Sequence, residues 1–568
     1  MSKARFFLMC LSLLLVAGLA LPAFAQDNVA ITSTFGGGPD TFSQIYCTGT
    51  DCADMVGYMY MGLLGVDVET ATIQPNQLGA LAESWTVSDD NLVYDIKLRE
   101  GFTWSDGTPI TSADIAYHWE ILNNPEAAHP QAWLLDTLSS LEVIDDYNIR
   151  ITVSSPACSA LSYIGGVSPL PSHILSQSAP AELATLEFNL APTVTSGYFT
   201  FGQHRPAEIT SLLANKEHPD AGEFNLDGII QLVSSDQAVQ IEQFLEGETN
   251  FLESLPPDRK QEFRENADLQ VYEYPGNTWD YLGFNTADPT NPQPALAEDG
   301  TRIEQGIHPI FGDKRVRQAL AHAVDVDAII AGAVFGEADR MPAHIVPASW
   351  AFNSDLAPRG YDTELALSML AEAGWVQNDE GKLVCQGCLY ATEVDPAFEG
   401  SAMEFELLTN AGNTRREAIG AIIQDQLGQI GATVDFQAIE FNTLLEVMDS
   451  QEFDTFILGW RAGYPDDPNT LQLFGAGADI PGSGFNFTSF YNEEYFELEA
   501  QANEMQGCDP ADRAPIYQRM QEIMQDEMPY LWLYAQNGMY VAQGNVAGFD
   551  PRPNAIDWNI TSWTISNE

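Results

Sequence analysis

The sequence predicts an α/β protein of more than one lobe, on three observations. The chain is 568 residues long, more than one core of about 100–200 residues accommodates. Apolar runs of period 2 alternate along it with runs of helical spacing. One stretch in its second half reads as a β-α-β layer. With 45% hydrophobic and 11% aromatic residues, the composition is that of a packed protein, so disorder does not explain its acidity.

Among the strands, Leu92, Tyr94, Ile96 and Leu98 share one face, as do Tyr147, Ile149, Ile151 and Val153. Thr111 precedes a helix over Ser112 to Leu122. Asp313 can cap a helix that carries Val316, Leu320, Ala323 and Val324 on one side, and Thr363 can open another with Leu367 and Leu370. From Arg415 to Ile430, the residues Ile419, Ile422, Ile423, Leu427 and Ile430 recur at helical spacing until Gly431. A strand Thr433 to Ile439, a helical patch Asn442 to Met448 and a strand Asp454 to Trp460 follow. Sheets of this kind place ligands at the carboxyl ends of their strands, so the loop from Trp460 is expected to face a cleft. Pro- and Gly-rich stretches at Ala191 to Gly202 and Pro275 to Gly306 mark candidate crossings between lobes.

The first 25 residues read as a signal peptide. Lys3 and Arg5 precede an apolar run from Phe6 to about Leu21, and Ala23-Phe24-Ala25 offers a cleavage site before Gln26. The run is shorter than the roughly 20 residues needed to span a bilayer. Cys10 lies inside it behind the bulky Met9, which argues against a lipid anchor. Six cysteines remain, an even number in an exported chain. Local disulfides are expected between Cys47 and Cys52 and between Cys385 and Cys388, while a pairing of Cys158 with Cys508 stays open. Cys385-Gln386-Gly387-Cys388 also fits a redox pair or half a zinc site. It has no second such pair and no nearby His, and it sits in a Gly-rich hairpin-like stretch, Gly381 to Tyr390, so a structural clip is the preferred reading and no metal is assigned.

Charge excludes one class of partner. With 81 acidic against 23 basic residues the net charge is −58, and no basic run offsets it, so nucleic acid would be repelled. The plain reading of this acidity is a solvated surface.

Catalytic constellations are missing. There is no nucleophile elbow, His-Glu-x-x-His, phosphate loop or dinucleotide fingerprint. The eight His are scattered, and His118 and His322 read as ordinary helix residues. Acid pairs such as Asp89-Asp90 and Asp466-Asp467 occur by chance in so acidic a chain, so neither an enzyme nor a cofactor is expected. Aromatic residues say more, because 11 Trp and 20 Tyr offer flat faces with polar tips to a ligand. Trp85, Trp104, Trp119 and Trp375 sit in element-like patterns and read as core. Trp279 and Trp460 stand at strand ends where a cleft would be.

Several segments together resemble solute-binding protein family 5 of ABC importers, which includes dipeptide-, oligopeptide- and nickel-binding proteins. They are Leu81-Ala82-Glu83-Ser84-Trp85, Ser88-Asp89-Asp90, Leu98-Arg99-Glu100-Gly101, Trp104-Ser105-Asp106-Gly107-Thr108-Pro109 and Ala113-Asp114. Phe311 to Leu320, Ala323-Val324-Asp325, Leu370 to Trp375 and Asp454 to Pro468 continue the order, so that the likeness covers roughly residues 30 to 545. Ser105 to Pro109 is turn chemistry and reads as fold-keeping. Two departures stand out. Ser196-Gly197-Tyr198 replaces the family's Gly-Pro-Tyr hairpin, and Ala462-Gly463-Tyr464 replaces an Ala-Asp-Tyr whose carboxylate holds a peptide's α-ammonium in relatives.

The resemblance implies a two-lobe periplasmic-binding-protein-like α/β fold of type II, in the large cluster with an extra subdomain. Lobe I would comprise residues 26–66, 192–275 and 535–568, with the subdomain at 67–191, and lobe II residues 276–534. It further implies a monomeric, periplasmic or extracellular receptor that closes on a hinge and delivers its solute to ABC permease subunits in the membrane. A short peptide or similar polar solute is expected between the lobes, an oligosaccharide next and nickel third; a secreted hydrolase, or an adhesin or chaperone-like use of the fold, are the readings of other classes. The expected contacts are Trp460, Arg461, Tyr464, Asp466 and Asp467 from one side of the hinge and Trp279 from the other, with Asp466 or Asp467 replacing the ammonium anchor that Gly463 lacks.

Overall fold

A computed structural model of the chain describes residues 28–566 apart from 36, 37, 223, 235, 236 and 254; the expected signal peptide and Cys10 lie outside the described residues. The strand pattern is realised as alternating burial. Val93–Leu98 turns Tyr94, Ile96 and Leu98 inward, and Asn148–Val153 does the same with Ile149, Ile151 and Val153. These two strands pair with each other and are flanked by Ala82–Val87 and Leu138–Asp145 in a four-stranded antiparallel sheet. A second four-stranded sheet runs Val29–Phe35, Gly228–Ser234, Ile209–Ala214, Phe199–Arg205. One apolar cluster joins both, with Ala30, Tyr94, Ile151, Phe199 and Trp563 among its members. This is lobe I.

Lobe II forms around a larger mixed sheet. In it Glu404–Asn410 pairs in parallel with Thr433–Ile439 on one side and Thr455–Arg461 on the other. Helix Thr414–Gln429, capped by the Asn413 side chain, provides the crossover and buries Ile419, Ile423 and Leu427. Tyr281, Leu320, Phe456 and Tyr530 belong to its core.

Two long antiparallel strands carry the main chain between the lobes. Leu269–Phe284 and Tyr530–Gln543 pair with each other and slip register between Pro275 and Trp279. Tyr272, Tyr274 and Tyr540 pack in the first core, whereas Tyr281 and Tyr530 pack in the second. At the slip the strands approach so closely that a Cβ on Gly276 would collide with the Gln536 carbonyl oxygen.

The motif residues hold the fold together. Trp104 donates from its indole to Asp114 (3.4 Å), which also accepts from the Thr111 amide and, at 2.6 Å, from the Ser172 hydroxyl. Helix Ser112–Leu122 thus starts in a capping box pinned from three directions. Asp313 caps helix Lys314–Ala323. Arg317 on that helix is buried and donates to the carbonyls of Phe311 (2.6 Å), Glu527 (3.1 Å) and Met528 (3.0 Å). It thereby satisfies orphan acceptors at the end of helix Pro510–Glu527. Helix Thr363–Glu372 is capped by Asp362, with Thr363 its first residue inside. Among the described residues three disulfides form: Cys47–Cys52, Cys385–Cys388 and Cys158–Cys508. The last joins residues 350 positions apart.

Candidate functional site: the cleft between the lobes

A cavity of about 1190 Å³ opens to solvent between the lobes. Lobe I contributes the turn of Glu69, Thr70 and Ala71, together with Ser84, Trp85 and Arg552. Lobe II contributes Ser349, Trp350, Arg513 and the loop Ala462 to Asp467. Tyr272 and Asn277 of the crossing strand form part of the wall, so the cavity borders the place where the chain passes between the lobes.

The loop leaves strand Thr455–Arg461 at its carboxyl end and is clamped there. Asn277 and Ala462 exchange two hydrogen bonds of 2.8 Å. Beyond it, the Asp466 amide donates across the cleft to the Ala71 carbonyl at 2.7 Å. Asp466 Oδ2 accepts from the Ser349 hydroxyl (2.7 Å) and the Trp350 amide (3.1 Å). Its Oδ1 has no hydrogen-bond partner among the described residues. Burial raises this carboxyl to about 6 against the opposing pull of those two donors.

The two cavity arginines are already engaged. Arg513 donates to the Ala502 carbonyl (2.9 Å), the Tyr517 hydroxyl (2.9 Å) and Asp467 (3.4 Å), and lies over the Trp350 ring. Arg552 bonds Glu69 and Asp550, each at 2.8 Å. Asp509 accepts from the Ala511 amide as the cap of helix Pro510–Glu527. Asp466 is consequently the acid of this wall that makes neither a salt bridge nor a helix cap.

Tyr464, Asp466 and Asp467 line the cavity; Trp279, Trp460 and Arg461 are not among its lining residues. Trp279 requires correction. It is 3% exposed and sits inside lobe II, where it pairs directly with Trp460 on the neighbouring strand instead of facing it across a hinge. A strand end reads as a cleft edge in sequence, but here the strand continues in both directions and its ring is covered by Tyr281 and Trp532. Trp460 is half-buried against the same core and meets Phe485 edge-on. Arg461 is exposed beside the site. Burial pushes the Tyr464 hydroxyl up to about 12, helped by Asp557 and Asp67. Trp104 and Trp375 are buried core residues. Trp85, read as core, instead faces the cavity from the edge strand Ala82–Val87 while packing partly against lobe I. Trp350 and Arg513 carried no local signal that would have singled them out.

A profile of the bacterial extracellular solute-binding proteins, family 5 middle region, matches residues 77–482. The chain belongs to this family. It is 25% identical to the oligopeptide-binding protein AppA of Bacillus subtilis, over the whole of both chains. The structure of that AppA in complex with a nonapeptide covers 95% of this chain and 100% of its own, with a TM-score of 0.67 at 24% identity. HbpA2 from Haemophilus parasuis matches with a TM-score of 0.77 at 20% identity, covering 95% of this chain and 100% of that one. These likenesses establish the two-lobe binding-protein fold, and the family is one of solute-binding receptors. Among the described residues no helix is long and apolar enough to cross a membrane.

Proposed function

We propose that this protein is the exported receptor of an ABC importer, processed before Gln26, and that it holds a short peptide in the interlobe cavity. Asp466 would receive the peptide's cationic end. The observation that carries this reading is Asp466 itself, fixed through one oxygen while the other has no partner among the described residues, in a wall whose arginines are already neutralised. A volume of about 1190 Å³ exceeds the ~300–1,000 Å³ of ordinary small-molecule sites and suits an oligomeric solute. The likeness to an oligopeptide-binding relative points the same way. Hinge closure about the two crossing strands would turn occupancy into a shape that permease subunits recognise.

Calorimetry with free and N-acetylated peptides, beside cello- and xylo-oligosaccharides, tests the reading. Peptides with a free amino group should bind, and acetylation or Asp466→Asn should each weaken binding by about 1.5–3 kcal/mol. Affinity should also fall as pH drops through about 6, because protonation removes the charge on Asp466. Saccharide heat without peptide heat would replace peptide by oligosaccharide as the cargo, with Trp85 and Trp350 as the stacking faces.

A further inference from the structure

The Cys158–Cys508 disulfide spans the two lobes. Cys158 lies between strand Asn148–Val153 and helix Ala160–Gly165, whose buried residues belong to the lobe I core. Cys508 lies between helices Glu493–Asn503 and Pro510–Glu527, whose buried Tyr495, Ala502, Tyr517 and Met520 belong to the lobe II core. The other two bridges close loops inside one lobe, with separations of 5 and 3 residues. Both Cys158 and Cys508 form part of the cavity wall.

Hydrogen bonds fasten the same place. The Cys158 amide donates to the Asn503 carbonyl at 2.6 Å, and the buried Asn91 side chain donates to the carbonyls of Glu504 (3.4 Å) and Met505 (3.2 Å). The connection between the two lobe II helices is thus docked against two turns of lobe I and then covalently tied.

We propose that this bridge is a staple between the lobes that limits how far the receptor opens. Hydrogen bonds between loops can break when lobes swing apart and re-form on closure, but a disulfide cannot. Its Cα atoms stand 5.3 Å apart and cannot separate beyond about 7 Å while the bond lasts. The lobes are therefore joined by the two crossing strands and by a third covalent link elsewhere on the cavity wall. A wide rigid-body swing about the strands alone is blocked, and what remains is the slack of residues 504–509 and twisting about a line through bridge and hinge. Solutes must then enter through the mouth that is already open, which favours short ligands. That last consequence rests on the receptor reading above, whereas the limit on opening does not.

The test needs no ligand. Peptide mapping without reductant should recover the Cys158–Cys508 cross-link from wild type. Ligand-free C158S/C508S should show a radius of gyration raised by roughly 1 Å or more over the ~24 Å of a compact chain of this length. Its Asp466 amide, which donates across the cleft to Ala71 in another loop, should exchange at least tenfold faster. C385S/C388S, lacking a bridge within lobe II, should match wild type in both. If the serine pair does not fold, wild type is compared before and after treatment with a phosphine reductant, with mass spectrometry to show which bridges opened. Free thiols at Cys158 and Cys508, or unchanged scattering and Asp466 exchange once this bridge is gone, would overturn the staple and leave the peptide reading to be judged by calorimetry.

Discussion

Where the crossing strands pass from lobe to lobe, backbone pairing resumes on either side of the register slip, and aromatic rings pack at both ends, half-buried Tyr272 and buried Tyr540 against one core, Tyr281 and Tyr530 in the other. At the cleft rim the lobes meet, among the described residues, through isolated hydrogen bonds: Asp466 with Ala71, Cys158 with the helix-terminal Asn503, and Asn91 with Glu504 and Met505. The hinge owes its permanence to many cooperative contacts over continuous elements. The rim has few contacts, each worth about 0.5–1.5 kcal/mol net, so it depends on a covalent bond for permanence. A bend and a latch can thus be built from unlike materials in one molecule.

The contrast is tested most severely by removing the latch. A bridge across 350 positions constrains the unfolded chain far more than one across 3, so C158S/C508S should cost about 4–5 kcal/mol of stability and C385S/C388S roughly 2. Denaturant unfolding with and without each pair measures both, and equal losses would erase the distinction between the long and the local bridge. Next in size is the hinge itself. Gly276→Ala places a Cβ against the Gln536 carbonyl oxygen, so the paired strands must part there, at about 1–3 kcal/mol; a thermal melt unchanged from wild type would show that the crossing has slack.

The third expectation concerns the rim's support and its pH dependence. Buried Glu499 accepts from the Thr470 amide (2.6 Å) and hydroxyl (3.2 Å), and so fastens the segment after Asp467 to the helix that leads into the bridge. Burial raises its carboxyl to about 7. Folding therefore takes up a proton here, and this stabilisation is complete below about pH 4.5 and lost as pH rises through about 7. Glu499→Gln cannot titrate, so its stability relative to wild type should improve with rising pH across that window, by about 3 kcal/mol. The comparison must be between the two proteins, because His118, His129 and His344, kept neutral by burial, push the wild-type curve the opposite way. A difference flat in pH would mean that Glu499 is ionised in the fold.

Local order explains what could be read in advance. The strand at Val93–Leu98 and the helices opened by Thr111 and Asp313 declare themselves because one face of each must be apolar and because a cap residue sits at a fixed offset from its partners. The loop after strand Thr455–Arg461 was legible for a related reason, since strand order dictates where a cleft opens, and Asp466 and Asp467 came with it. The rest of the wall was not. Trp85 and Trp350 reach the cavity from segments far apart in sequence, and Trp279 turns the other way. Nothing near Cys158 announces Cys508, because that partnership is decided by how the lobes lie against each other.

The two crossing strands also govern the order in which the molecule can be completed. Lobe I is not contiguous in the chain: Phe251–Leu252 pairs with residues 541–542, Trp563 packs on Phe251 with ring centroids 5.1 Å apart, and the Ile565 amide donates to the Asn28 side chain at 2.6 Å. During synthesis the N-terminal half must wait, its sheet edge and aromatic pocket exposed, until the last few dozen residues arrive, whereas lobe II has most of its strands in hand earlier. A nascent chain that emerges from a ribosome or a translocon N-terminus first therefore finishes its first lobe last. That order makes residues 541–565 the closing piece of the first lobe.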